Sequence, residues 1–421
     1  MTRAIVLSGG GSQGAYQIGV WKALRKLHIK YDIVAGTSVG AINGAFMVQK
    51  DYFKTLWMWY NLDFSLVYNE KLEKDYNIPD GKIEILKIYA KNILFNSGMD
   101  IKPLEDNLKR LLNLNKFYKS KINYGLVTVR LPNFKPITLT KREIPKEELK
   151  DYIIASATCF PVFKKKKIGE SSFIDGGYHD NLPINLAINM GATEVIAVDL
   201  HTIGIKKKVE NKNIKIITIS PRNKLGSFLV FNLNMARRNI RFGYNDTMKV
   251  FKKLDGDKYT FKKGHLEKNL LKHKSTLIEI LETILKNKNN LLVNKIFNKT
   301  DYYQIINGNL ELTKKIINKT IEYIGKTLGI DESIIYNIKD YNRLIKKKIM
   351  EINDINMKLI EQKVKKNDII NLLDTSLLIK YIYNQLLLAK NSDKIKRELR
   401  HLAILMPKEF MSAVYIYSIN N

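Results

Sequence analysis

The sequence predicts an α/β chain: a domain built on a parallel sheet over residues 1–252, then a mostly α-helical domain over residues 253–421. Three observations predict it. Short apolar runs alternate with helical periods through the first half. Glycine-rich turns directly follow the first two apolar runs. Beyond about residue 265 glycine thins out, and the pattern becomes helical and rich in Lys and Asn. A chain of 421 residues also exceeds one ordinary core.

The elements follow in order. "AIVLS" reads as a strand, and "AYQIGVWKALRKL" as a helix with Tyr16, Val20, Leu24 and Leu27 on one stripe. "YDIVAGTS" is a second strand, and "VGAINGAFMVQK" a helix with small residues. Strand–helix repeats at this spacing argue for parallel pairing. Residues 51–100 read as a helical insertion, either a cap over a site or a packing layer. Further strands are expected at "NYGLVTVRL", "KPITLT", "SSFID", "EVIAVDL" and "IKIITIS". Helices are expected at "IKPLEDNLKRLL", "KEELKDYIIASA" and "INLAINMG". "KKKVENKN" is a solvated loop, and "LDGDKYTF" a turn and short strand without the spacing of a calcium loop. The final "MPKEFMSAVYIYSIN" is either a buried closing helix or a membrane-facing one.

Composition narrows the function classes. The formal charge is +30, from 71 basic and 41 acidic residues. Such a field favours anionic partners, a phospholipid surface or nucleic acid, although a general bias toward Lys, Asn and Ile accounts for it equally well. The charge is spread out and matches no nucleic-acid module, so no nucleic acid is expected. The single cysteine, Cys159, excludes an internal disulfide and fits a reducing compartment. No signal peptide and no run of about 18 apolar residues is seen, so the expected location is cytoplasmic, with any membrane contact peripheral.

Two motifs carry the chemistry. Gly9, Gly11 and Gly14 satisfy G-x-G-x-x-G after the first strand, a pattern that can cradle a dinucleotide phosphate. A dinucleotide site needs an acidic residue near the end of the second strand. Asp32 lies at the start of that strand instead, and its end carries G-T-S-V-G at 36–40. G-x-S-x-G between strand and helix is a nucleophile elbow, with Ser38 at its apex and Gly36 and Gly40 where side chains would clash. The following helix aims its positive end at the serine. The backbone of Gly9–Gly11 can then present N–H groups to an oxyanion beside Ser38.

An activated serine needs a base. Six histidines are present, but a Ser–Asp–His hydrolase places several strands before its elbow. A carboxylate is the other choice. "FIDGGYHDNLPI" puts Asp175 at the end of a strand, before Gly176 and Gly177, at the carboxyl edge shared with Ser38. Standing alone, D-G-G reads as a tight turn. His179 is the candidate for a hidden triad, and His201 reads as a strand-end residue.

In this order, G-G-G-S-Q-G, G-T-S-V-G and D-G-G resemble the patatin-like phospholipase family. "SGMDIKPLEDNL", "SATCFPVF", "NLPINLAINMGATEVIAVDL" and "RFGYNDTM" look like it too, so the resemblance covers residues 3–252. It implies a three-layer parallel-sheet hydrolase domain that cleaves acyl esters of lipids, phospholipids among them, without metal or organic cofactor. It implies Ser38 as nucleophile, Asp175 as general base, and Gly9, Gly10 and Gly11 as the oxyanion hole, with Gly14, Gly36, Gly40, Gly176 and Gly177 supporting loop and elbow. One position departs from the family. Gln13 stands where Arg or Lys is common, which bears on binding an anionic headgroup or on bracing the loop. Residues 253–421 carry none of these motifs. The rival reading is a lipid- or anionic-surface-binding protein with weak or no catalysis.

Overall fold

Strands β1 (Arg3–Leu7) and β2 (Ile33–Thr37) are buried along nearly their whole length, as continuous apolar runs are when both faces of a sheet are covered. The structure is a computed structural model and describes residues 1–70, 79–285, 301–353, 360–361 and 374–420. It divides into two compact units, Met1–Phe251 and Lys252–Asn421.

In the first unit the remaining strands are β3 (Asn123–Leu131), β4 (Lys135–Thr140), β5 (Lys166–Ile168), β6 (Ser171–Asp175), β7 (Glu194–Val198) and β8 (Lys215–Ile219). The helices are α1 (Ala15–Lys26), α2 (Val39–Val48), α3 (Tyr52–Asn61), α4 (Pro79–Phe95), α5 (Lys102–Leu111), α6 (Leu114–Lys119), α7 (Leu149–Ser156), α8 (Ile184–Asn189) and α9 (Leu233–Val250). Alternation along the strands sorts their side chains into two cores. Ile5, Leu7 and Val34 enter the larger one, with residues of α1, α2, α3 and α9. Ala4, Val6, Ile33 and Ala35 meet Leu182, Ala187 and Ala192 on the other face, around α8. The unit therefore has three layers, with a thin second face filled by small residues.

The sheet is mixed, which corrects the expectation of a parallel one. Its order is β5-β6-β3-β2-β1-β7-β8, with β4 also paired to β3. Pairing is parallel from β3 through β2, β1 and β7 to β8. It is antiparallel for β3–β4, β3–β6 and β5–β6. Two short connections cause the β3–β4 and β5–β6 pairings: 132–134 joins β3 to β4, and Gly169–Glu170 joins β5 to β6. Connections of this length can only make hairpins, because a parallel return needs a long crossover.

The consequence for the site is specific. Over Gly125–Arg130 one edge of β3 is occupied by β4. The other edge is shared: Val127 faces Thr37 of β2, and the next residue, Thr128, faces Asp175 of β6. Thus β2 and β6 run toward each other along β3 and stop end to end. Both chains must leave the sheet there, β2 at Ser38 and β6 at Gly176.

The insertion after α2 contributes α3, a short turn at Phe64–Leu66 and α4; the part at 71–78 lies outside the described residues. Met58, Trp59, Leu62 and Val67 of this insertion wall the cavity described below, so it caps the site as well as packing.

The second unit is helical, with a small three-stranded sheet at Leu254–Asp255, Thr260–Lys262 and Ile335–Tyr336. Asp255 accepts hydrogen bonds from Lys263 Nζ and the Gly264 N–H, both at 2.6 Å, so the "LDGD" carboxylate closes a turn. The last helix, Pro407–Asn420, is buried from Phe410 to Ile419 inside the helical core, which decides for the buried reading of that stretch. Among the described residues no helix is long and apolar enough to cross a membrane.

Candidate active site

Ser38 sits between β2 and α2 with φ +58° and ψ −128°. A non-glycine residue in that region carries strain on the order of 1–3 kcal/mol, held in place by its surroundings. The turn is as tight as the motif implied. A Cβ on Gly40 would lie 2.3 Å from the Leu7 carbonyl oxygen, and one on Gly36 would lie 2.3 Å from the Gly40 carbonyl oxygen. Ser156 pins the elbow from α7. Its Oγ accepts from the Ser38 N–H at 2.9 Å and donates to the Val127 carbonyl at 2.6 Å.

Asp175 reaches the same point from the opposing strand. Its Oδ1 accepts the Gly177 N–H at 2.7 Å, and its carboxylate and the Ser38 side chain line the same cavity. A Cβ on Gly176 would lie 2.2 Å from the Val127 carbonyl oxygen and 3.0 Å from the Thr37 methyl, so only glycine fits where β6 turns off beside β2. Burial pushes the Asp175 carboxyl from 3.8 up to about 6; the Gly177 N–H and the Ser38 hydroxyl oppose that rise. An ionised carboxylate with that value is a better base for a hydroxyl than an exposed aspartate.

The glycine loop requires one correction. The Gly9 N–H donates to both the backbone oxygen and Oδ1 of Asn181, each at 3.1 Å, so it is spent. Gly10 and Gly11 line the cavity, and their N–H groups have no acceptor among the described residues. Of the three expected donors, two remain. The Gly9 bonds belong to a clamp that sequence reasoning missed. Thr202 Oγ1 donates to the Gly9 carbonyl at 2.6 Å, and Asn181 Nδ2 donates to Thr202 Oγ1 at 3.2 Å. Asn181 lies within the "FIDGGYHDNLPI" stretch, so its position was in view although its partner was not.

A second buried network ties the loop to α2. Asn43 Nδ2 donates to the Gly14 carbonyl at 3.0 Å and to Gln17 Oε1 at 2.8 Å, and Trp59 Nε1 donates to Asn43 Oδ1 at 2.9 Å. Gln17 Nε2 closes it on the Ser8 carbonyl at 2.7 Å. Gln13 does not line the cavity. Its Nε2 donates to the Gly226 carbonyl at 2.7 Å, so it braces the loop rather than facing a ligand.

Ser38 and Asp175 open into a cavity of about 480 Å³ whose walls are otherwise largely apolar, including Ile42, Trp59, Leu62, Phe163 and Phe231. Ile203 and Ile205 belong to its lining and are also 91% and 56% exposed, which puts them at its mouth. None of the six histidines lines it, so His179 stands apart from the pair, and His201 follows β7 with its N–H bonded to Asp199 Oδ1 at 2.9 Å. Among the described residues no group of three or more His, Cys, Asp or Glu could hold a metal ion. A buried hydroxyl–carboxylate pair, bare backbone donors and an apolar chamber can together support nucleophilic attack on a carbonyl attached to an apolar chain.

Residues 5–188 match the family model described as Patatin-like phospholipase. Patatin-like phospholipase domain-containing protein 6 of Homo sapiens is 28% identical over 204 residues, which is 47% of this chain and 13% of that protein. Lysophospholipase NTE1 of Mycosarcoma maydis is 25% identical over 205 residues, 48% of this chain and 10% of that protein. The matched stretch is thus a small part of these curated relatives. Among solved structures, VipD from Legionella pneumophila aligns over 99% of this chain and 90% of its own, at 13% identity and a TM-score of 0.37.

Proposed function

We propose that this chain, whose residues 5–188 are a patatin-like phospholipase domain, is a serine acyl hydrolase that cleaves fatty-acyl esters of lipids, phospholipids among them, through a Ser38–Asp175 dyad. The observation that carries the reading is the end-to-end meeting of β2 and β6 on β3, which brings Ser38 and Asp175 into one cavity with the free N–H groups of Gly10 and Gly11. The active machinery belongs to residues 1–252, and residues 253–421 form a separate helical domain.

In this mechanism Asp175 takes the proton of Ser38 Oγ as that oxygen attacks the ester carbonyl. The Gly10 and Gly11 N–H groups receive the tetrahedral oxyanion, aided by the N-terminal end of α2. Asp175 returns the proton to the departing alcohol, leaving an acyl group on Ser38. Water enters and gives a proton to Asp175 as its oxygen attacks the acyl carbon; Asp175 then returns that proton to Ser38 Oγ as the fatty acid leaves. The apolar walls accommodate the acyl chain, each buried methylene contributing about 0.8 kcal/mol. No histidine takes part. The substrate sits in a membrane, and the exposed Ile203 and Ile205 at the mouth, with Lys207 and Lys208 close behind, suit peripheral contact with an anionic surface.

Hydrolysis of a fluorogenic fatty ester tests the dyad. Ser38→Ala and Asp175→Asn should each lower turnover by about a thousandfold or more, with circular dichroism unchanged. An organophosphonate should label the native chain at Ser38. Full activity in either variant removes the dyad; absence of both turnover and labelling in the native chain leaves a lipid-binding protein.

A further inference from the structure

We infer that the second unit holds a binding pocket for a compact anion bearing two or more phosphate groups, between α10 (His265–Leu285) and the helix Ile338–Glu351. The inference does not depend on the hydrolase reading. A cavity of about 360 Å³ opens there, within the range of small-molecule sites. Lys268 and Lys272 of α10 line it, together with Lys339, Arg343 and Lys346 of the facing helix, and none of the lining residues is acidic.

The charges are arranged against helix stability. Lys268 and Lys272 are four residues apart, as are Lys339 and Arg343, and Lys346 follows three later. Like charges at these spacings share a helix face and repel. Arg343 Nη1 lies 3.3 Å from Asp340 Oδ1, a largely exposed pair. Among the described residues Lys268, Lys272, Lys339 and Lys346 have no carboxylate partner. Local rules broken without compensation are expected where a site is built.

The floor is polar and donor-rich. Asn269 and Asn342 are buried and joined with Tyr415 in a closed ring. Asn269 Nδ2 donates to Tyr415 Oη at 2.9 Å, Tyr415 Oη donates to Asn342 Oδ1 at 2.8 Å, and Asn342 Nδ2 donates to Asn269 Oδ1 at 2.8 Å. Each member gives and receives one bond, so each amide keeps one N–H for a ligand. His273 also lines the cavity, with Nδ1 2.9 Å from the Ser418 carbonyl oxygen. A carbonyl only accepts, so Nδ1 carries hydrogen; Nε2 of the neutral ring is then an acceptor and donates to an anion only when the ring is protonated. Burial holds the His273 pKa below its usual value, and Lys272 and Lys346 push it the same way.

Phosphate suits this set: ammonium groups act as point charges and the guanidinium as a fork. One phosphate monoester carries at most about two negative charges, too few to balance five cations, so a ligand with two or three phosphates is indicated. A soluble polyphosphorylated molecule and a lipid headgroup bearing two phosphates share this chemistry.

The test is calorimetric titration of the full chain with tripolyphosphate at roughly 0.15 M salt, where diffuse charge is screened. Three chains are compared: native, the triple variant Lys268→Gln, Lys272→Gln and Arg343→Gln, and the control triple Lys315→Gln, Lys319→Gln and Lys326→Gln. The control removes equal charge from exposed positions that do not line the cavity. The expected result is saturable native binding, at least tenfold weaker in the pocket triple and within about twofold of native in the control. No saturable native binding, or equal weakening in both triples, overturns the pocket. Flotation with vesicles of diacylglycerol pyrophosphate, which carries two phosphates, against phosphatidylglycerol, which carries one, identifies the source. A diacylglycerol pyrophosphate preference lost only in the pocket triple means a headgroup ligand. Vesicle binding unchanged in that triple, with tripolyphosphate binding lost, means a soluble anion.

Discussion

Asp175 does two things at the scale of single residues. Burial raises its carboxyl to about 6, which strengthens it as the base of the proposed dyad and is at the same time a source of instability. Only the ionised form can take the Ser38 proton, so kcat/KM on a neutral ester should rise with pH through about 6 and fall away below it. An acid limb at the ordinary carboxylate value would count against this assignment. Stability runs the other way. The folded state holds its proton to a higher pH than the unfolded chain, so the contribution present below 3.8 is lost as pH rises through about 6. Asp175→Asn should therefore melt higher than the native chain at pH 7, by on the order of 2 kcal/mol, while losing turnover. The gain should vanish in melts at pH 4. Gln13 shows the opposite limit of residue-scale reading. Its departure from the family pattern is plain in the sequence, but only its 2.7 Å bond to the Gly226 carbonyl shows that it braces the loop.

At the scale of elements, the glycine loop depends on a clamp drawn from distant segments. Gly9 is held by Asn181, 172 positions along the chain, and by Thr202, 193 positions along. The clamp removes Gly9 as a donor and sets the orientation of the next two. Asn181→Ala leaves the backbone bond but deletes the side-chain one and the link to Thr202. It should lower kcat about tenfold to a hundredfold with little change in KM, because the loss falls on positioning in the transition state. Steady-state kinetics on the fluorogenic ester read this directly; a change confined to KM would mean the clamp shapes the cavity instead. The elbow itself was legible in five residues because its constraints are local: Gly36 and Gly40 are required by atoms only a few residues or one strand away. The clamp was not legible, because neither Asn181 nor Thr202 belongs to a spacing pattern.

At the scale of the whole molecule, net charge and the cavity mouth bear on how a lipid is reached. A formal charge of +30 favours contact with anionic surfaces, and salt screens that attraction. Ile203 is more specific, being 91% exposed at the rim of an apolar chamber. Burial of one such side chain in lipid contributes about 1.5–3 kcal/mol. Ile203→Ser should therefore reduce hydrolysis of vesicle lipid about tenfold or more, and reduce hydrolysis of a short soluble ester by clearly less. Equal losses on both substrates would assign Ile203 to the chamber alone. Wherever the lysines gather without acids, as beside Asn269 and Asn342, the same net charge becomes a defined pocket rather than a diffuse field.

By itself the sequence determined the strand–helix order, the serine at a forced turn, the aspartate before two glycines and the helical second half. Each of these rests on contacts between near neighbours, where backbone sterics and side-chain period suffice. Tertiary structure decided what depends on register. Two hairpins made the sheet mixed, and the antiparallel run of β6 brought Asp175 to Ser38 head-on rather than from a shared parallel edge. That meeting is fixed by which residue of β3 faces which partner, a choice of pairing that no single segment encodes. The same holds for Gly9: its N–H was available in principle and is spent in fact, because folding carries Asn181 to it.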